Sequence, residues 1–360
     1  MTSTGSGRNH GIDLLRILAT GMIIVHHFIC HGGLSAIFPQ LSRPDVFYHS
    51  VNILCYCAVN LYGLISGYVG VGRRFRPSRL IGLWMQAAFT SLVIYAGFML
   101  FGGMPFSLKD LFTALTPLSH DTYWYFTAYA GMYLFLPFLH KVLDHADRRF
   151  CLTAVGTAFV LFSLLPTLAD RDIFQLQYGY HMGWLMVLYA TGCTCKRFGF
   201  GWLKRWALPM YAACMLTAIG GRIVLETLHL RGFAAPSIVL LEKYTSPTLY
   251  LGSLALLCLF AHLRLRPFAA RVAAAISPFT FGVYLFHAHP LVYHRLIHLS
   301  LTPLVSLSAP VQLLILAAVC LAVYVLCLML DYLRVRLFGL VRIPSLCAWL
   351  EKKLLSFADA

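Results

Sequence analysis

The chain is short of charge, and of acidic charge above all: 11% of its 360 residues are charged, and only 13 are Asp or Glu. Set against 59% hydrophobic residues, this leaves too little polar surface to cover a water-soluble globule. Stretches of about ten residues that alternate polar and apolar are also missing, which excludes an outer-membrane barrel. The first apolar run is of spanning length and has no small-residue cleavage site after it, so no cleavable signal peptide is expected and the first span is retained. No strong internal repeat is visible, which counts against a transporter built from inverted halves. The close cysteine pairs Cys55/Cys57 and Cys193/Cys195 lack zinc-knuckle spacing, so the eleven cysteines are expected as buried thiols.

What the chain has in abundance is apolar runs near the length of about 20 residues that a helix needs to cross a bilayer, among them Ile12 to Cys30, Leu80 to Phe101 and Val311 to Leu330. The expectation is an all-α polytopic membrane protein with ten spans, at 12–30, 51–70, 80–101, 123–140, 151–168, 179–195, 206–226, 247–263, 275–293 and 310–331. The net charge of +15 raises a nucleic-acid reading, but the basic residues follow the membrane. Alternate loops hold twenty of the 28 Lys and Arg, including Arg73, Arg74, Arg76, Arg79, Lys196, Arg197, Arg264, Arg266, Arg334 and Arg336. The opposite loops hold only Arg43, Lys109, Arg171, Arg231, Lys243 and Arg295, and Arg16 and Arg222 fall inside spans. By the positive-inside rule the rich loops and both termini are cytoplasmic, and no nucleic-acid partner is expected. The expected organisation is a disordered cytoplasmic start over 1–10, a membrane domain over 11–335 and a cytoplasmic tail over 336–360. Since no soluble domain is inserted, any chemistry sits among the helices.

The first span carries the sharpest signal. Arg16 and His27 are eleven residues apart, so on a helix they differ by about 20° in azimuth and about 16 Å in height. A mid-membrane arginine costs about 2.5–3.5 kcal/mol, so the face they share points to protein or to water. A neutral His27 can take a proton from a hydroxyl, while His26 sits off that face; interfacial histidines satisfied by water or headgroups give the same sequence. His27 and His31 form an i, i+4 pair, but no carboxylate lies near to complete a metal site, and no metal is expected. Arg73, Arg74, Arg76 and Arg79 offer forked donors for a polyphosphate, and the same residues also make an ordinary topology signal touching anionic lipid. Trp124 and Tyr125, in Tyr123-Trp124-Tyr125-Phe126, suit either an interfacial belt or a sugar ring. His287 and His289 lie 200° apart in a ninth span interrupted by Pro278 and Pro290, and Arg222 and Glu226, spaced i, i+4, are expected as a structural pair.

With those residues in view, the sequence resembles the acyltransferase 3 family of integral-membrane O-acyltransferases over nearly its whole length. The resemblance rests on Gly11-Ile12-Asp13-Leu14-Leu15-Arg16 with His27, the loop Arg73 to Arg79, Tyr123-Trp124-Tyr125-Phe126 with Tyr133 and Pro137, Tyr244-Thr245-Ser246-Pro247, and Phe281-Gly282-Val283-Tyr284-Leu285-Phe286-His287. It is strongest toward bacterial members that O-acetylate surface or exported polysaccharides. The resemblance implies acetyl-CoA, or another acyl-CoA, as a donor substrate reaching a cell-membrane protein from the cytoplasm, with no permanently bound cofactor. It also implies a glycan or lipid-linked saccharide hydroxyl as acceptor, and makes Arg16 and His27 the catalytic pair. The family's R-x-x-R element falls on Arg76 and Arg79, and Arg73 with Arg76 has the same spacing. On this reading Arg73, Arg76 and Arg79 hold the donor, Trp124, Tyr125 and His287 contact the acceptor, and an acetyl-histidine intermediate is the alternative to direct transfer. The rival from another class is a secondary transporter or flippase of a lipid-linked or small anionic substrate, which also wants intramembrane Arg and His.

Overall fold

The computed structural model describes residues 8–358. They form α1 (His10–Cys30), α2 (Arg43–Gly70), α3 (Pro77–Phe101), α4 (Leu108–Leu115), the broken pair α5 (Trp124–Leu134) and α6 (Leu136–Leu143), and α7 (Arg148–Phe159), which runs through a π-segment at Val160–Leu164 into α8 (Leu165–Ala169). There follow α9 (Met182–Phe198), α10 (Leu203–Leu230), α11 (Pro247–Ala261), α12 (Pro267–Ile276), α13 (Thr280–His287), the single turn α14 (Pro290–Val292), α15 (Ala309–Leu340) and α16 (Ile343–Ala358). No strand occurs among the described residues. Seven helical stretches are long and apolar enough to cross a membrane, namely α1, α2, α3, α7–α8, α10, α12–α13 and α15. The chain is therefore an all-α polytopic membrane protein.

The other three expected spans fall on α5–α6, α9 and α11. At 17 and 15 residues, α9 and α11 are short for a bilayer core of about 30 Å. Both pack against the long central α2, so their ends meet protein. Pro137 explains the break between α5 and α6: lacking an N–H and crowding the carbonyl four residues back, it forces a restart at Leu136. The ninth span differs from its expected bounds of 275–293. Pro267 starts the helix in its first turn, the three-residue 3₁₀ turn Ser277–Phe279 carries it past Pro278, and it ends at His287.

Helix starts follow their caps. The Asn9 side chain accepts from the Ile12 N–H at 3.2 Å, Ser42 caps α2, Asp147 caps α7 and Ser246 caps α11. Of the expected disordered start, residues 1–7 lie outside the described residues, while Arg8 donates to Asp13 at 2.7 Å and Asn9 caps α1. In the segment expected as a tail, α16 packs on α3, with Cys347 buried near Met85.

The core gathers on α2. Where α2 crosses α9, a Cβ on Gly67 would lie 1.9 Å from the Tyr189 carbonyl oxygen and one on Gly192 would lie 2.1 Å from that of Leu64, so only glycine permits this approach. Asn60 accepts from Trp184 Nε1 at 2.9 Å and donates to the Tyr244 carbonyl at 2.8 Å, tying α2, α9 and the segment before α11 through one buried, satisfied amide. Arg222 does lie 3.6 Å from Glu226, as the i, i+4 spacing suggests. Its shorter contacts, however, are to Glu242 at 3.1 Å and His49 at 3.1 Å.

Candidate active site

Near the C-terminal end of α1 the helices enclose a cavity walled by His26 and His27 of α1, His31 at its C-cap, Tyr56 and Tyr62 of α2, Trp124 and Tyr125 of α5, Tyr180, Tyr244, and Phe281 and Tyr284 of α13. Its volume is about 130 Å³. The aromatic residues do not form an outward belt. Trp124 packs on Tyr180 with ring centroids 4.3 Å apart and stacks on Tyr244 at 6.1 Å, so its face belongs to an internal aromatic wall.

The ring nitrogens of the histidines are held unequally. His26 Nδ1 bonds Asn52 Oδ1 at 2.7 Å, and His31 Nδ1 bonds the Tyr293 hydroxyl at 2.5 Å. His27 Nδ1 is sealed from solvent and has no hydrogen-bond partner among the described residues. The His27 ring lies on the cavity wall, and its Nε2 is not among the sealed atoms. The ligating atoms of His26, His27 and His31 lie within 4.8 Å of one another, looser than the spacing a tetrahedral ion with bonds of about 2.0–2.1 Å imposes. Tyr125 Oη is a second sealed and unpartnered polar atom on the wall.

The other end of α1 opens on positive charge. A cleft of about 750 Å³ between the start of α3 and the α15–α16 corner is lined by Arg73, Arg74, Arg76, Ser78, Arg79 and Arg334, and no acidic residue is on its wall among the described residues. Arg334 is fixed there by Asp331, which accepts from its Nε at 2.9 Å and its Nη2 at 3.0 Å. Arg76 is drawn toward Glu351 at 3.7 Å. A narrower cleft shares Arg73, Arg74, Arg79 and Tyr133 with the first and adds Arg16, Tyr129, His140 and Tyr189. Arg16 comes no nearer than 4.0 Å to Asp13, whose oxygens are already taken by Arg8 and Ser277. Its charge is therefore left available in a cluster of cations, which is the arrangement that binds a polyanion. Between this cleft and the histidine cavity stands Tyr62, whose hydroxyl meets Thr20 Oγ1 and the Arg16 carbonyl and whose ring lies 6.0 Å from that of Tyr125.

A protein-family model described as an acyltransferase domain matches residues 9–331, nine-tenths of the chain and every element from α1 to most of α15. The chain belongs to the acyltransferase 3 family. No curated protein and no solved structure gave a match. The protein is thus a multi-pass membrane acyltransferase, and both cavities lie within the matched region except for the α16 edge and the adjoining end of α15 of the arginine-lined cleft.

The acyltransferase brings together most of the residues singled out from sequence, but in two groups. Arg16 sits with Arg73, Arg74 and Arg79, not on the wall that carries His27. Trp124 and Tyr125 share the cavity with His27. His287 is not on that wall; its ring stands 5.1 Å from the His27 ring. His289, separated from it by the end of α13, turns into a different cleft, where its Nε2 meets Ser91 Oγ at 3.0 Å and its Nδ1 accepts from the Leu291 N–H. With Nδ1 accepting, Nε2 carries the proton, so His289 cannot activate Ser91 as a nucleophile. Tyr56, Tyr62, Tyr180 and Arg334 were not singled out, and the first two would have been flagged by the polar residues Asn52 and Asn60 in the same span.

Proposed function

We propose that this acyltransferase moves an acetyl group, or a related short acyl group, from acetyl-CoA to a hydroxyl of a cell-surface or exported polysaccharide or lipid-linked glycan at the cell membrane. The observation that supports this most is the placing of two unlike cavities along α1, one lined by a cluster of arginines and one by histidines and aromatic rings. The charge sorting of the loops puts the arginine-lined end in the cytoplasm, where acyl-CoA is made. The CoA phosphates dock on Arg73, Arg76 and Arg79, Arg16 orients the donor as it passes inward, and the pantetheine arm spans the rise of about 16 Å to His27. The acceptor sugar enters from the opposite side and lies against Trp124 and Tyr125.

His27 Nε2 then takes the hydroxyl proton as the sugar oxygen attacks the thioester carbonyl. The tetrahedral oxyanion needs a donor in a dry site, and Tyr56, Tyr125, Tyr180 and Tyr244 on this wall carry hydroxyls able to supply one. The C–S bond breaks, the acyl group stays on the sugar oxygen, and His27 returns its proton to the departing CoA sulfur. The test is transfer of radiolabelled acetyl from acetyl-CoA to membrane glycan by wild type, His27→Ala and Arg16→Ala. Wild-type rates in either variant would sink the proposal, and a labelled His27 peptide found by mass spectrometry would replace direct transfer with an acetyl-enzyme.

A further inference from the structure

The His27 Nδ1 atom is sealed without a partner, and one other histidine nitrogen beside it is in the same condition: Nε2 of His287. The two rings are neighbours, with centroids 5.1 Å apart and planes at 45°. Their needs are complementary. His287 Nδ1 lies 2.6 Å from the Val283 carbonyl oxygen, which can only accept, so Nδ1 holds the His287 proton and Nε2 presents a lone pair. His27, whose Nε2 faces the cavity, needs its proton on Nδ1 if Nε2 is to act as a base. The other histidines of the cavity have different partners, His26 on Asn52 and His31 on Tyr293.

We infer that His287 is a positioning residue for the acyl transfer: its Nε2 accepts the Nδ1–H of His27, directly or through one buried water, and so holds His27 in the tautomer with a free Nε2. The inference rests on the reading of His27 as the base. The relay runs from the Val283 carbonyl through His287 to His27 and ends at the cavity, with the backbone carbonyl at the back of α13 setting the direction of every proton in it. In serine hydrolases a carboxylate fills the corresponding place and also stabilises the imidazolium. Here a neutral ring does so without burying a negative charge among the helices.

The test uses the full chain in lipid with acetyl-CoA as donor. Replacing His287 by Leu removes the acceptor, whereas His287→Gln places an amide oxygen near the position of Nε2. The expected result is a kcat lowered about 10²-fold in His287→Leu with KM for acetyl-CoA within about twofold of wild type, and recovery of at least about tenfold in His287→Gln. Solid-state nitrogen-15 spectra, with the His27 signals assigned by their loss in His27→Gln, should show a protonated Nδ1 in wild type and a mixture of tautomers in His287→Leu. Unchanged His27 tautomers in His287→Leu, or equal losses with Leu and Gln, overturn the inference. Its failure is separable from that of the parent reading: an active His27→Ala enzyme removes the base itself, whereas an inactive His27→Ala beside a fully active His287→Leu removes only the pairing.

Discussion

Neutralising the arginines one at a time tests whether the clefts at the start of α3 bind the donor through charge, and the structure ranks them. Arg73, Arg74, Arg76 and Arg79 are exposed, and the Arg76 side chain retains 67% of its accessible surface. Exposed charges contribute about 0.2–1 kcal/mol each, so Arg73→Gln, Arg76→Gln and Arg79→Gln should each weaken acetyl-CoA binding by about 1.4- to 5-fold. Arg16 is different. Its side chain is 28% exposed, and its nearest acidic oxygen, 4.0 Å away, is occupied by other donors. A charge-assisted hydrogen bond at such a site is worth about 1.5–3 kcal/mol, so Arg16→Gln should weaken binding by about 10- to 150-fold.

Isothermal titration of purified protein with acetyl-CoA and with CoA lacking its 3′-phosphate would measure both effects, at low and at high salt. With a screening length of about 10 Å at 0.1 M, the contributions of the exposed arginines should fade as salt rises, while that of Arg16 should persist. The reasoning fails if Arg16→Gln costs less than any of the exposed arginines, if the variant lacking all of Arg73, Arg76 and Arg79 binds as tightly as wild type, or if wild-type binding is indifferent to salt.

Three other outcomes follow from the geometry. Trp124→Ala should raise KM for the acceptor by about tenfold while leaving acetyl-CoA binding unchanged, because its ring belongs to the wall on the histidine side; an altered affinity for CoA would contradict that separation. Asp331 is fully buried and accepts from Arg334 twice and from Gln86 at 3.0 Å, so Asp331→Ala should lower stability by about 3–5 kcal/mol in thermal unfolding. Adding Arg334→Met should recover part of the loss, and a strictly additive double variant would show that the two do not act as a pair. Asp170, just beyond α8, is partly buried, which pulls its pKa up, but the Lys243 ammonium at 2.8 Å and the Ser237 N–H at 2.7 Å outweigh this and hold it below 3.8. A carboxyl lowered by folding adds stability above its unfolded pKa and loses it as pH falls through the folded one. Asp170→Asn should therefore increase hydrogen exchange around residue 237 at neutral pH, by an amount that shrinks as pH falls below 3.8; an effect independent of pH would remove the ion pair from the account.

Sequence exposes most of the helical frame because a bilayer demands continuous apolar runs and because the basic loops alternate. It misplaces the ninth span, since Pro278 and the polar residues around it look like the start of a helix when they are a 3₁₀ turn within one. The common face of Arg16 and His27 follows from the spacing alone, but their separation into two cavities does not. It depends on Tyr62 of α2 standing between them, a contact made across 46 positions of sequence. Likewise, nothing in the run from Phe281 to His287 tells that His287 turns toward His27, because that is set by the packing of α13 on α1.

The signal that could have reached further lies in α2. An entirely structural span has no reason to bury amides, which cost about 1–3 kcal/mol each when unpaired. Yet α2 carries Asn52 and Asn60, both buried and both fully engaged. Asn52 fixes the His26 ring, and Asn60 holds the backbone of Tyr244 while tying α2 to Trp184 of α9, so each amide supports a residue of the cavity wall. The two are eight residues apart, about 80° around the helix, and Tyr56 falls midway, about 40° from each, so the three span one side of α2. A polar residue every fourth position along one side of an otherwise apolar span therefore marks the side that faces the site, and in this acyltransferase that side belongs to α2 as much as to α1.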